Sequence, residues 1–547
     1  MSEGVTSRAT MLAQLCASPF DVLIIGGGIV GAGLARDAAM RGLKVALIDQ
    51  GDFASGTSSK TSKLIHGGLR YLQHGRLPLV FESLRERHIL RTIAPSLVHP
   101  LSFVLPIYTG DRLQPWKVNV GLWMYDLLAA WRNIRPHRMA SASRVASLEP
   151  GLRLDGLKMA GLYADCQMDD ARMCLANILQ AVSFGAVCCN YVRLRTLLKV
   201  KSQICGGVGE DVCTGRTIEI AATTVVNATG PWADQVRQLS LAGTPSQLAP
   251  TKGIHLIVPR LSQQALFVQA HADQRMMFIL PWDDYSLVGT TESSVTTSFE
   301  TLSASAEEVG YLLGEVNRVL PGRHVKADDV VATFAGARPL LAFSGTSNRA
   351  SREHRLEVDR WGLVSIFGGK FTTYRLMAKQ AVDLIVSRNR WRVDRCLTNQ
   401  VSLLESPHPV ALDHWHDIRR TLDPDLLARF MIRYGTGAFH ILRLLNEDRA
   451  LARPICPHHE HLAAELAYAI QHEFACTITD LLARRTRIAW SSCQGLDALS
   501  LIGDLFRRYA GMTSAMMERS LEQYHQFLAR GLAFRRPAAD ILAQRAH

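Results

Sequence analysis

"FDVLIIGGGIVGAG", residues 20–33, decides how the chain is read. Asp21 aside, its first six residues are apolar strand formers, and they run straight into Gly26-x-Gly28-x-x-Gly31. A helical pattern, "GAGLARDAAM", follows and is closed by Gly42; a second strand, "LKVALID", then ends on Asp49. A bare glycine triplet is a weak signal. Strand, glycine turn, helix, second strand and terminal acid together form the dinucleotide fingerprint in its structural context. Gly26 permits the tight turn, Gly28 lets the backbone approach a pyrophosphate as the helix begins at Ile29, and Gly31 with Gly33 lets helix and strand pack closely. The pyrophosphate then lies at a helix N-terminus, where free N–H groups and the macrodipole favour an anion. Asp49 is placed to accept from ribose hydroxyls.

Two later strands also end in glycine turns: "TTVVNATG", carrying Ala228, Thr229 and Gly230, and "GLVSIFGGK", carrying Gly369 and Lys370. Strands this far apart become neighbours in one parallel sheet when the intervening residues form excursions. One excursion shows antiparallel alternation. In "GIHLIVPR", Ile254, Leu256 and Val258 share a face and His255 and Ile257 take the other, while "MMFILPWDDYSLVGTTE" reads as a hairpin turning at Asp283–Asp284. In "FGGKFTTYRL", Phe371, Thr372 and Thr373 open another helix after the last glycine turn. Such an N-terminus can face the pyrimidine edge of an isoalloxazine and stabilise reduced flavin, so FAD is preferred to NAD. Beyond about residue 395 alternation gives way to helical segments such as "PDLLARFMIRYG". The expected fold is α/β: residues 20–395 form a Rossmann-like FAD-binding domain interleaved with an antiparallel-sheet substrate domain, and residues 396–547 an all-helical C-terminal domain. Residues 1–19 are an N-terminal extension.

The formal charge of +12 and pI near 9.3 favour anionic partners: nucleic acid, acidic lipid or a phosphorylated substrate. The basic residues are dispersed and no RNA-binding module is recognisable, so no nucleic acid is expected. Eleven scattered cysteines with no CxxC pair or Cys/His grid suggest a reducing compartment and no metal. No secretory signal is read in the first twenty residues, and no run approaches the ~18–20 apolar residues of a membrane span.

"KLIHGGLRYLQHG", residues 63–75, sets His66 and the Arg70–Tyr71 pair around Gly67–Gly68 with no acid in the stretch. Such a loop suits a phosphorylated ligand beside a cofactor. With "DVLIIGGGIVGAG", "TSSKTSKLIHGGLRYL", "DCQMDDAR", "NATGPW", "KGIHLIVPR", "GARPL" and "FGGKFTTYR" in order, and "HEFACTITDLLARRTRIAW" in the tail, the chain resembles the FAD-dependent, respiratory glycerol-3-phosphate dehydrogenases of the bacterial aerobic type. It departs in carrying Val30 where the family's glycine loop commonly has Asn, and no EF-hand loop follows residue 500.

The resemblance implies oxidation of sn-glycerol 3-phosphate to dihydroxyacetone phosphate, with electrons passing from FAD to a membrane quinone. Arg70, Tyr71, Arg338, Arg352 and Lys370 are the expected substrate contacts, because an arginine fork or a lysine ammonium suits a phosphate. Arg338 is expected nearest the reacting end, and His66 and His255 stay open as the base. Thr57, Ser58, Ser59, Thr61, Ser62 and Lys63, together with His66, Gly67 and Gly68, are expected along the FAD. In "DCQMDDARM", Asp165, Asp169 and Asp170 are expected to brace the fold through Arg172.

A quinone lives in lipid. Residues 112–138 combine Trp116, Trp123, Tyr125 and Trp131 with Arg112, Lys117, Arg132, Arg135 and Arg138, a pattern of interfacial helices. The protein is therefore expected as a peripheral homodimer on the cytoplasmic side of the inner (plasma) membrane. "ARRTR" at 483–487 is expected to be structural or at a subunit contact. Two other readings stay open: an amine or amino-acid oxidase of related fold that uses oxygen, and a flavin-bearing RNA-binding protein.

Overall fold

The computed structural model describes residues 8–342, 353–404 and 423–535. The opening strand, Phe20–Ile25, lies at the centre of a parallel array between Val45–Ile48 and Thr217–Asn227, and Val364–Gly368 follows beyond the latter. Three strands separated by up to several hundred residues thus finish side by side. Buried on both faces, such strands need near-continuous apolar sequence, which "VLII" and "VALI" supply. The helix Ile29–Met40 crosses this sheet between Asp170–Ser183 and Tyr374–Asn389, so ten of its twelve residues are buried. Its charged members are paired: Arg41 bonds Asp37 at 2.6 Å, and Arg36 donates to the Val401 carbonyl at 2.9 Å.

The second sheet has ten strands and is mostly antiparallel. Its Thr251–Pro259 strand is buried on both sides. Ile254, Leu256 and Val258 enter one apolar cluster with the Ala306–Val319 helix, and Ile257 enters another with the Pro115–Ala129 helix. The hairpin Met276–Trp282/Tyr285–Gly289 turns at Asp283–Asp284. The C-terminal region is helical around its own core, apart from a short ribbon of Pro454–Cys456 and His459–Leu462.

That region is riveted to the nucleotide-binding sheet by buried charge. Asp52, just past the second strand, accepts from Arg485 at 2.7 and 2.9 Å and from Arg484 at 2.5 Å. Arg172 meets Glu473 at 2.6 Å. "ARRTR" is therefore structural within the chain. Before the first strand, Arg8–Ala17 forms a helix that buries Leu15 and sends Arg8 to Asp211 at 2.6 Å.

Candidate active site

The three strand ends build the cradle. Ile25 stands opposite Asn227, and Asn227 opposite Ser365. Gly26 turns at φ +106°, and a Cβ there would sit 2.7 Å from the Ala228 carbonyl oxygen, so only glycine brings these turns together. Asp49 accepts from the Gly27 N–H at 2.6 Å and the Gly51 N–H at 2.8 Å. Desolvation in this recess still pushes its carboxyl up to about 6, against those two donors. At the helix start the Ile29 N–H donates to the Ser58 hydroxyl at 2.9 Å. Gly31 packs against the turn itself, where a Cβ would meet the Gly26 carbonyl oxygen at 1.9 Å, while Gly28, Thr229 and Gly230 are half-buried.

Next to Ser58, Thr57 begins the lining of a cavity of about 210 Å³. Its lining brings together Thr57, Thr61, Ser62, His66, Arg70, Tyr71, His255, Arg338, Gly369, Lys370, Phe371 and Thr372. Ser59, Lys63, Gly67 and Gly68 lie behind the wall. The Lys63 ammonium bonds Asp170 at 2.5 Å and the Ser59 carbonyl at 2.6 Å, and Asp170 also holds Thr61. Gly67 answers why the loop needs a missing side chain: its N–H donates to Tyr125 Oη at 2.8 Å, and a Cβ would lie 2.4 Å from that oxygen. Gly68 takes the left-handed conformation at φ +78°.

Within the cavity, Arg338 donates to the Thr290 hydroxyl at 2.8 Å and the Thr291 carbonyl at 2.9 Å. The Lys370 ammonium lies 3.7 Å from the Tyr71 ring centroid and 3.2 Å from the Ser83 hydroxyl, so Lys370 and Tyr71 form one unit. His255 packs on Phe334 with ring centroids 4.9 Å apart, and its Nε2 meets the Ser62 hydroxyl at 2.8 Å. Burial, and then the Arg338 and Lys63 charges, hold its pKa well below the usual histidine range, so the imidazole is neutral. His66 lines the same cavity: its backbone N–H donates to Thr372 and its imidazole stands edge-on to Phe278. The arrangement is a cofactor recess beside a small chamber with cations on its walls and a neutral imidazole among them.

Residues 21–384 match the family described as FAD dependent oxidoreductase, and residues 396–516 match the C-terminal domain of alpha-glycerophosphate oxidase. A glycerol-3-phosphate dehydrogenase 2 of Mycobacterium bovis is 36% identical over 532 residues, covering 95% of this chain and 90% of that one. The glycerol-3-phosphate dehydrogenase of Synechocystis is 35% identical, with 93% and 96% covered. The chain belongs to the FAD-dependent glycerol-3-phosphate dehydrogenase family. Among solved structures, the glycerol-3-phosphate dehydrogenase of Bacillus halodurans complexed with FAD superposes with a TM-score of 0.79 at 27% identity, covering 98% of this chain and 99% of that one. A glycine oxidase of Geobacillus kaustophilus, at 22% identity and TM-score 0.53, shares the fold.

Within this dehydrogenase-family frame several sequence readings change. Asp165, Asp169 and Asp170 do brace the fold, but not through Arg172, whose partner is Glu473. Asp165 holds Arg87 at 2.5 Å and Tyr125 at 2.8 Å, Asp170 holds Lys63, and Asp169 caps its helix at the Arg172 N–H. Gly33 faces not a strand but the Tyr374 ring of the neighbouring helix, which a Cβ would approach to 2.7 Å. Tyr125 turns inward to Asp165, away from the face shared by Trp116 and Trp123. Arg352 lies outside the described residues. Lys60 was passed over. It lines the chamber, and burial, followed by the Arg530 and Arg484 charges, pushes its amine down to about 8. Its position in the same loop as Ser62 was a usable signal; the shift comes first from burial, with arginines more than four hundred residues away adding to it.

Proposed function

We propose that the chain oxidises sn-glycerol 3-phosphate to dihydroxyacetone phosphate and delivers the electrons to a membrane quinone. The observation that carries this reading is the convergence of Arg338, Arg70, Lys370 and neutral His255 on one chamber beside the cofactor recess. Bound FAD supplies the hydride acceptor for C2 and passes the electron pair onward. Gly26, Gly28, Asp49, Ser58 and the Gly369–Thr372 turn are positioned to hold it. The remaining work falls to side chains. Arg70 and the Lys370–Tyr71 unit receive the phosphate, Arg338 steadies the C2 oxygen as charge develops there, and His255 takes the hydroxyl proton directly or through Ser62.

Approach to lipid is supported by the Pro115–Ala129 helix. Trp116, Val120, Trp123 and Leu127 form one exposed stripe at helical spacing, with Trp123 64% and Leu127 78% exposed. The adjoining Leu77–Ile93 helix adds exposed Leu77 and Phe81. Exposed Arg112, Lys117, Arg135 and Arg138 and solvent-facing Trp131 border the stripe. Aromatic groups flanked by cations suit an anionic bilayer surface. Among the described residues no helix is long and apolar enough to cross a membrane, so the proposed attachment is peripheral.

Anaerobic mixing of the purified flavoprotein with sn-glycerol 3-phosphate should bleach the flavin absorbance, and glycerol or glycine should not. Equal bleaching by glycerol would overturn the phosphate assignment. A water-soluble quinone should then restore the colour faster than oxygen does; rapid peroxide release with no quinone reduction would make the enzyme an oxidase.

A further inference from the structure

Outside the flavin chamber, the C-terminal region gathers a second set of chemically capable groups. Cys456 ends one strand of the short ribbon and His459 opens the other, and the two are cross-strand partners. Cys493 reaches them from the turn after Trp490. One ligand atom from each of the three lies within 4.8 Å of the other two. Cys493 Sγ is 3.4 Å from His459 Nε2, and the Ser491 hydroxyl is 3.0 Å from the same nitrogen. We propose that Cys456, His459 and Cys493 bind a divalent ion of the zinc class, with solvent as the fourth ligand.

The donor set is what such an ion selects. Two sulfurs and an imidazole nitrogen suit a borderline-soft cation and are poor partners for magnesium or calcium. Bond lengths of about 2.3 Å to sulfur and 2.0–2.1 Å to nitrogen put the edges of a tetrahedron at roughly 3.5–3.8 Å. The 3.4 Å sulfur–nitrogen separation needs only a small outward adjustment. The ribbon holds two ligands in register before any ion arrives. Cys456 is buried while His459 and Cys493 are half-buried, which leaves a side open for the ion to enter and for water to remain. Binding converts two thiols to thiolates, releases two protons and leaves the two ligand charges balancing the dication. Asp497 lies near enough for its charge to act on both Cys456 and His459 and adds to the attraction.

The placement puts the ion where it ties two segments together. The Cys493 turn is clasped to the second sheet, where the Ser492 N–H donates to Tyr285 Oη at 2.9 Å. Trp490, on the same segment, meets Phe334 edge-on at 5.6 Å, and Phe334 is the ring on which His255 stacks. An ion that ties this segment to the ribbon therefore stiffens the support behind His255.

The intact flavoprotein, purified under reducing conditions and dialysed against zinc-free buffer after brief zinc exposure, should retain roughly one zinc per chain by atomic emission. Cobalt loading should give the visible bands and thiolate charge-transfer absorption of a tetrahedral sulfur-containing site, a readout that needs no variant. Cys456→Ser, Cys493→Ser and His459→Ala should each lower retained zinc at least tenfold with flavin content unchanged. Wild-type protein that retains under a tenth of an equivalent and gives no cobalt–thiolate band overturns the proposal. So does zinc that survives all three substitutions, or a Cys456–Cys493 disulfide found by mass spectrometry in place of the metal.

Discussion

Two groups of cations in this protein, one buried and one half-buried, do opposite things. At the joint between the C-terminal region and the nucleotide-binding sheet, Arg484 and Arg485 close on Asp52, and Arg484 also reaches Asp480 at 2.5 Å. In the chamber, Arg338 is held by a hydroxyl and a carbonyl, and Lys370 by a hydroxyl and the face of a phenol ring. The joint uses positive charge to cancel negative charge already in the chain. The chamber sets its cations along the wall of a cavity, where an incoming anion can reach them. The joint arginines are sealed against carboxylates, while the chamber cations border open volume, and that difference separates the two sets.

The contrast can be broken most decisively at the joint. Arg485→Ala leaves a buried carboxylate short of its main partner and should lower stability by about 3–5 kcal/mol in urea denaturation of the flavoprotein. A variant as stable as the parent would remove the joint from the comparison. Arg338→Ala should cut turnover with glycerol 3-phosphate by about 10²–10³-fold while flavin content and the urea midpoint stay put. If stability fell instead and turnover held, Arg338 would belong with the structural set.

Acid offers a third test. Despite burial, the paired arginines hold the Asp52 carboxyl at about 2. A carboxylate depressed in the folded state contributes its stability above the unfolded value near 4 and loses it as pH falls from there through 2. One such group accounts for about 2.6 kcal/mol, so Asp52→Asn should show a visibly flatter stability curve between pH 4 and pH 2. A slope identical to the parent would mean that another acid sets it. The smallest effect is expected on the outer surface. Trp123→Ser should weaken binding to anionic vesicles by roughly 1.5–3 kcal/mol and leave turnover with a soluble electron acceptor unaltered. Unchanged vesicle binding would put the lipid-facing surface elsewhere.

How much of this was readable beforehand follows contact distance along the chain. The glycine turn, its helix and Asp49 are local signals, and all three strand-to-glycine turns could be found because each carries its own pattern. Of the chamber residues, Lys370 was legible beside a glycine turn, His255 on a strand of clear alternation and Arg70 in its own glycine loop, whereas Arg338 came only through the family resemblance. The burial of the His255 ring was not legible, because it depends on Phe334 and Ser62 closing around it. The order of the ten-stranded sheet, in which Val98–Tyr108 pairs with both Leu157–Met168 and Ala265–Gln269, is set by partners that no short window contains. The same limit hid the tuned Lys60 and the Cys456–His459–Cys493 group, whose third member arrives from a separate segment.

Asp52 and its two arginines are separated by more than four hundred residues. During synthesis from the N-terminus, the loop beside Asp49 therefore leaves the ribosome long before the groups that neutralise it. A chain cut short near residue 395 lacks both arginine partners of Asp52, and it should retain less FAD per chain than the full-length protein even though it carries every glycine of the cradle.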